Sequence, residues 1–192
     1  SYIHYAEPMD EMVDASHLGY PAGKMHLTFL ATEVLETTVG TGLGYLIDTT
    51  EYEMLNGQVT FKPKIIHSWE IPFAEAHHIP GGEEWLLFSP HNSDAQIFET
   101  NSALGLPDQS LGGNWDGRIY LSSYHAGLWI IDIETLMLEA RNPDLNRTEV
   151  HSLSTIGYHL PHGQDGIPLS SSYYDFGWTP FIWAAEYHNG YT

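Results

Sequence analysis

The sequence predicts an all-β fold of short antiparallel strands arranged in repeated four-stranded units. Three observations carry this. Residues alternate with a period of two, turn residues recur at short intervals, and two motifs return after 84 residues. The clearest stretch is GRIYLSSYHAGLWIID, Gly117–Asp132. Ile119, Leu121 and Ser123 alternate there with Tyr120, Ser122 and Tyr124. His125-Ala126-Gly127 then breaks the run, and Gly127 can take a backbone angle that other residues avoid. Leu128–Ile131 is continuously apolar, as in a strand buried on both faces, and Asp132 ends it with an acceptor for the next turn. A hairpin alone is marginal in water, so this one belongs to a larger sheet.

In chain order, Ser1–Pro8 reads as a strand and Met9–Tyr20, with weak periodicity, as an irregular loop. Lys24–Val34 and Gly40–Asp48 read as paired strands, Glu51–Lys62 as a linker turning at Asn56-Gly57, and Lys64–Ile71 as a strand stopped by Pro72. Phe73–Glu84 is loop-like. Trp85–His91 is a strand that Asp94–Glu99 continues, and Asn101–Asp116 is an inserted loop rich in Gly, Asn and Ser. Glu134–Arg141 has helix-compatible residues, but its place in the repeat favours a strand end and loop. Glu149–Tyr158 is a strand, Leu160–Trp178 a long loop, and Thr179–His188 a last strand.

The repeat appears when these segments are aligned. GYLID ending at Asp48 and WIID ending at Asp132 are 84 residues apart, as are His67-Ser68 and His151-Ser152. Four strands per unit with repeated turn chemistry is the pattern of a β-propeller blade. The expected architecture is an all-β β-propeller fragment of four-stranded antiparallel blades. Blade 1 covers residues 1–72, blade 2 covers 73–160, and a third begins over 175–192. A generic β-sandwich is the competing architecture.

Composition narrows the function. The chain has 192 residues, 42% of them hydrophobic, enough for a sizeable core. Twenty-five acidic residues against 6 basic ones give a net charge of −19, which disfavours nucleic acid and anionic membrane surfaces. No apolar run reaches the length of a membrane span. The absence of cysteine excludes disulfides and thiolate metal ligands.

SPHN at Ser89–Asn92, the Gly117–Asp132 hairpin and IWAAEYHNGYT at Ile182–Thr192 make the chain similar to the LVIVD-repeat β-propeller proteins. The residue 73–158 unit carries the resemblance best; the first unit shares GLGYLID and HSWEIP and departs at Met9–Tyr20. The resemblance implies an extracellular or cell-surface protein that serves binding or scaffolding. Two units and the start of a third do not close a ring, so further blades or other protein chains are the expected partners.

The candidate chemistry lies in the histidines, 12 in all. His4, His91 and His188 hold similar places in the repeat, and propeller geometry would bring them together near the axis. With Glu7 and Glu186 they would bind a divalent metal ion: calcium, zinc or copper. The simpler reading, and the favoured one, is that they cap strands by hydrogen bonding between units. The sharper one is a metal-dependent copper or zinc propeller enzyme with a histidine-lined channel, which needs an open coordination position and a general base. His77-His78 can add at most one further ligand, since neighbours on a strand face opposite ways. Asn146-Arg147-Thr148 is a glycosylation sequon, meaningful at Asn146 only on an exported chain. Asp144–Glu149 has oxygen spacing suggestive of calcium binding but lacks the glycine turn and distal Glu, so a solvated loop is favoured. Trp69, Trp85, Trp129 and Trp183 fall in strands and are expected in the core; Trp115 and Trp178 fall in loops, packed beneath them.

Overall fold

The computed structural model describes residues 2–33, 42–71, 89–99, 115–124, 126–142, 153–159 and 184. Among the described residues, two four-stranded antiparallel sheets hold most of the regular structure. The first runs β1 (Tyr2–Pro8), β4 (Leu27–Glu33), β5 (Leu43–Asp48), β8 (Lys64–Glu70). Two small hairpins interrupt it in sequence: β2 (Val13–Asp14) with β3 (Lys24–Met25), and β6 (Tyr52–Leu55) with β7 (Gln58–Phe61). The second sheet runs β9 (Ser93–Glu99), β10 (Trp115–Ser122), β11 (Leu128–Asp132), β12 (Thr155–His159). In each sheet the strands lie side by side in their order along the chain and antiparallel throughout, with the two small hairpins inserted between members of the first.

The repeat is visible in the hydrogen-bond register. In the first sheet the β5–β8 register shifts between Leu46 and Ile47; in the second the β11–β12 register shifts between Ile130 and Ile131. These bulges are 84 residues apart, the spacing of the sequence motif. The other strands do not keep that offset. Leu46 pairs with His67, whereas Ile130 pairs with Gly157, so the counterpart of His67 is Gly157 rather than His151. The second unit carries a longer insertion before its last strand, which shifts the alignment there. His151 and Ser152 themselves lie outside the described residues.

The two sheets bury opposite faces. Pairing places Phe29, Leu46, Gly44 and Trp69 on one side of the first sheet, and this side is buried. Anchored on the bulges, the equivalent side of the second sheet carries Tyr120 and Ile130. Its other side, with Ile119, Leu121, Trp129 and Ile131, meets the first sheet. Trp69 and Trp129 meet with centroids 5.9 Å apart, and the Trp69 indole donates to Thr155 Oγ1 at 3.0 Å. Trp129 also stacks on Tyr158 at 5.1 Å and donates to the Ala126 carbonyl at 2.9 Å. One hydrophobic cluster therefore spans both sheets.

Several sequence expectations change. Glu134–Arg141 is not a strand end: Ile133–Arg141 forms helix α1. Asp132 caps it by accepting from the Thr135 amide at 2.7 Å, Glu134 and Arg141 complement the helix dipole at its two ends, and Ile133, Leu136 and Met137 supply a buried stripe. The Met9–Tyr20 loop contains β2 and a 3-10 turn at Ser16–Leu18. The Glu51–Lys62 linker is a hairpin, with Asn56 and Gly57 at φ 52° and 77° as its two-residue turn. Tyr52 and Phe61, and Met54 and Val59, pair on one exposed apolar face of it. Trp115 is not in a loop but opens β10, buried, donating to the Asp14 carbonyl at 3.0 Å. Residues 89–92 precede a strand that begins at Ser93, and the strand expected over Glu149–Tyr158 is Thr155–His159. Trp85 and Thr179–His188, apart from Ala184, lie outside the described residues.

Helix α1 clamps the seam. The Tyr20 hydroxyl donates to the Met137 carbonyl at 3.0 Å, Arg141 lies over the Tyr20 ring at 5.4 Å, and His67 lies 3.9 Å from Glu139. His17 Nε2 is 2.7 Å from the buried Glu134 carboxylate. Burial pushes the Glu134 carboxyl up from 4.5 to about 7, helped by Asp132 and Asp116 and opposed by His17. A carboxyl whose folded pKa exceeds its unfolded value holds its proton more tightly in the fold. Its stabilising contribution is complete below about 4.5 and is lost as pH rises towards 7.

Two outcomes follow for stability. Trp129→Ala should cost about 3–5 kcal/mol in urea unfolding, because it empties a fully buried site between two aromatic rings. Glu134→Gln should remove part of the fall in unfolding midpoint between pH 4.5 and 7 that the parent shows. Parallel pH profiles for parent and variant would contradict the assignment.

Candidate functional site

Where the first strands of the two sheets lie side by side, polar residues replace the apolar seam. The β1–β4 register shifts between Ile3 and Tyr5, so His4 is the residue the ladder skips. A bulge re-aims the side chain it displaces. Glu33 ends β4, and its side chain is only 3% exposed. His4 Nδ1 donates to Glu33 Oε2 at 2.9 Å.

The second sheet supplies the matching half. The His91 amide donates to the Ser122 carbonyl at 2.8 Å, and the Ser122 amide to the Asn92 carbonyl at 3.0 Å. The Asn92 amide donates to Ser122 Oγ at 3.1 Å. These bonds hold SPHN beside β10. The His4 and His91 rings lie 4.0 Å apart, and the Tyr124 ring lies 4.5 Å from His91. The Tyr124 hydroxyl donates to Glu33 Oε1, both groups buried. Tyr124 itself sits at φ 42°, a region rare for a residue with a Cβ. A turn fixes it there: Ser123 N to Gly127 O at 2.8 Å, Ala126 N to Ser123 O at 2.7 Å, and Gly127 N to Tyr124 O at 3.3 Å. Gly127 takes φ 89°, the freedom its turn requires.

These positions correspond. Tyr5 and Ala31 pair in the first sheet as Asn92 and Ser122 bond in the second. His4 thus matches His91, and Glu33 matches Tyr124. The site is one pair of equivalent positions meeting its own repeat across the seam.

His4, Glu33 and His91 each offer a ligand atom, and the three atoms all lie within 4.8 Å of one another. Zinc bonds near 2 Å in a tetrahedron set ligand atoms roughly 3.3 Å apart, so small side-chain adjustments would close the set. Two imidazoles and one carboxylate suit zinc, copper or iron; calcium prefers an all-oxygen shell. The Ser93 and Ser123 hydroxyls, both buried and within two residues of His91 and Tyr124, have no hydrogen-bond partner among the described residues.

The residues singled out from the sequence divide accordingly. His4 and His91 come together. Glu7 is outside the cluster; burial raises its carboxyl, with Asp94 and Asp10 pushing the same way. The carboxylate beside the histidines is Glu33, which sequence reasoning missed, as it missed Tyr124. The available signal was an acidic residue closing the apolar strand LTFLATE. His188, Glu186, His77, His78 and Asn146 lie outside the described residues. Comparison of the chain with protein-family models, curated proteins and solved structures found no match.

Removing the Glu33 carboxylate leaves the Tyr124 hydroxyl and His4 Nδ1 without their acceptor. In metal-free buffer with chelator, Glu33→Ala should lose about 1–3 kcal/mol of unfolding free energy. Glu33→Gln, which keeps an acceptor and the volume, should lose less.

Proposed function

We propose that the chain is part of a β-propeller of the LVIVD-repeat kind, extracellular or cell-surface, acting as a binding or scaffolding module around a transition-metal site. The observation that carries the metal site is the convergence of His4, Glu33 and His91 from both sheets. Two features support the propeller reading. The sheets share strand order and bulge position, and they meet through opposite faces. Opposite-face contact is head-to-tail packing, which continues with each added unit, whereas a sandwich closed by a two-fold axis joins like faces. Further units or other protein chains then complete the assembly. The exposed Tyr52, Met54, Val59 and Phe61 face supports a binding role.

The histidines would bind the ion through neutral imidazole nitrogen, Glu33 would supply charge, and Tyr124 would hold Glu33 in place. Bound there, the ion would pin the two sheets together at the end of their seam. A metal-dependent enzyme remains the second reading, because three protein ligands leave a coordination position open, as catalytic zinc sites do.

The test is calorimetric titration of the chelator-treated chain with zinc and with copper. One ion per chain should bind, and His91→Ala or Glu33→Gln should weaken binding at least about tenfold, the scale at which ligand-shell changes act. Absence of binding by the folded parent, or equal binding by both variants, would overturn the site.

A further inference from the structure

We infer that Tyr124 is a fourth protein ligand of this site and that the complete His4–Glu33–His91–Tyr124 set accepts ferric iron as a tyrosinate complex. The inference rests on the metal-site reading above and adds the phenol to it. The Tyr124 hydroxyl already bonds the carboxylate of one ligand, Glu33, through Oε1, and its ring packs against a second ligand, His91. The phenol is buried with them: Tyr124 is 4% exposed, His91 5% and Glu33 2%. Tyr124 occupies in the second sheet the position that Glu33 occupies in the first. Each sheet therefore contributes one histidine and one oxygen donor.

The backbone supports a fixed donor. A non-glycine residue at φ 42° persists when its surroundings over-determine it, and here three turn hydrogen bonds do so. Two nitrogen and two oxygen donors, with carboxylate and phenolate both anionic, match a hard, highly charged cation. Axial tyrosine ligation of iron in haem proteins shows that the phenolate–iron bond is chemically available.

The ligand exchange balances without any redox change. Ferric ion enters as ferric ion. The phenol O–H bond breaks, its proton leaves to buffer, and an oxygen electron pair forms the Fe–O bond. Glu33 loses the Tyr124 hydrogen bond and keeps its charge for the metal.

The test uses the whole chain, freed of metal with chelator and loaded separately with zinc and with ferric nitrilotriacetate. Bound metal is counted by elemental analysis, and ferric protein is read by visible absorption and resonance Raman. The parent should bind one zinc or one ferric ion and, with iron, show phenolate-to-iron charge transfer with enhanced tyrosinate vibrations. Tyr124→Phe should still bind zinc and lose that absorption. Zinc binding by the parent without charge transfer in its iron-loaded form would overturn the tyrosinate ligand while leaving the three-residue site intact. Charge transfer that survives in Tyr124→Phe would do the same. Binding of neither metal would overturn both. Should Tyr124→Phe fail to fold, site-specific replacement of Tyr124 by 3-fluorotyrosine keeps the phenol in place; a shifted charge-transfer band supports the ligand, and an unshifted or absent band overturns it.

Discussion

The contact of Trp69 with Trp129 is the interaction on which the rest of the structure depends. Each indole lies on the buried side of its own sheet, and each also satisfies its N–H, Trp69 to Thr155 and Trp129 to the Ala126 carbonyl. Large aromatic surfaces can be buried at little polar cost only when that N–H finds a partner. Once these two rings meet, the register of each ladder determines which other residues face the seam: Phe29 and Leu46 from one side, Leu121 and Ile131 from the other. The opposite-face packing follows from this contact, because Trp69 and Trp129 lie on non-equivalent sides of equivalent sheets.

The polar site depends on the same seam. Bringing β1 beside β9 removes Glu33 from water, and a buried carboxylate is costly unless its oxygens are bonded. His4 takes one oxygen and Tyr124 the other. The pair contacts only form because the repeat places His4 and His91, and Glu33 and Tyr124, at matching ladder positions on sheets that touch. Helix α1 closes the far side through carboxylate–histidine contacts between the two units, His17 with Glu134 and His67 with Glu139. These contacts and the Tyr124–Glu33 bond cross the seam that the tryptophans set, while His4 meets Glu33 within the first sheet.

Strand locations were legible in the sequence because period-two alternation and turn chemistry are local properties. The Gly117–Asp132 hairpin, the Leu43–Asp48 strand and the 84-residue offset between them all follow from residues close in the chain. Helix α1 was legible too, in Asp132 as cap and the Ile133, Leu136, Met137 stripe; reading it as a strand end let the repeat outweigh the local signal. The β6–β7 hairpin was signalled by Asn56-Gly57 in the same way.

The sequence by itself determined strand character, the acidic surface and the recurrence of histidine at the start of each unit. Tertiary structure alone decided which carboxylate joins those histidines. Glu7 is three residues from His4 and was the obvious partner by proximity in the chain, yet it pairs with Phe29, four positions along β4 from Glu33. The bulge at His4 re-aims that imidazole to the end of β4, where Glu33 meets it from 29 positions away in sequence. Tyr124 reaches the same carboxylate from the other sheet, 91 positions away in sequence. Contacts of that range depend on ladder register and on the face each sheet buries, and neither is encoded in any one stretch of the chain.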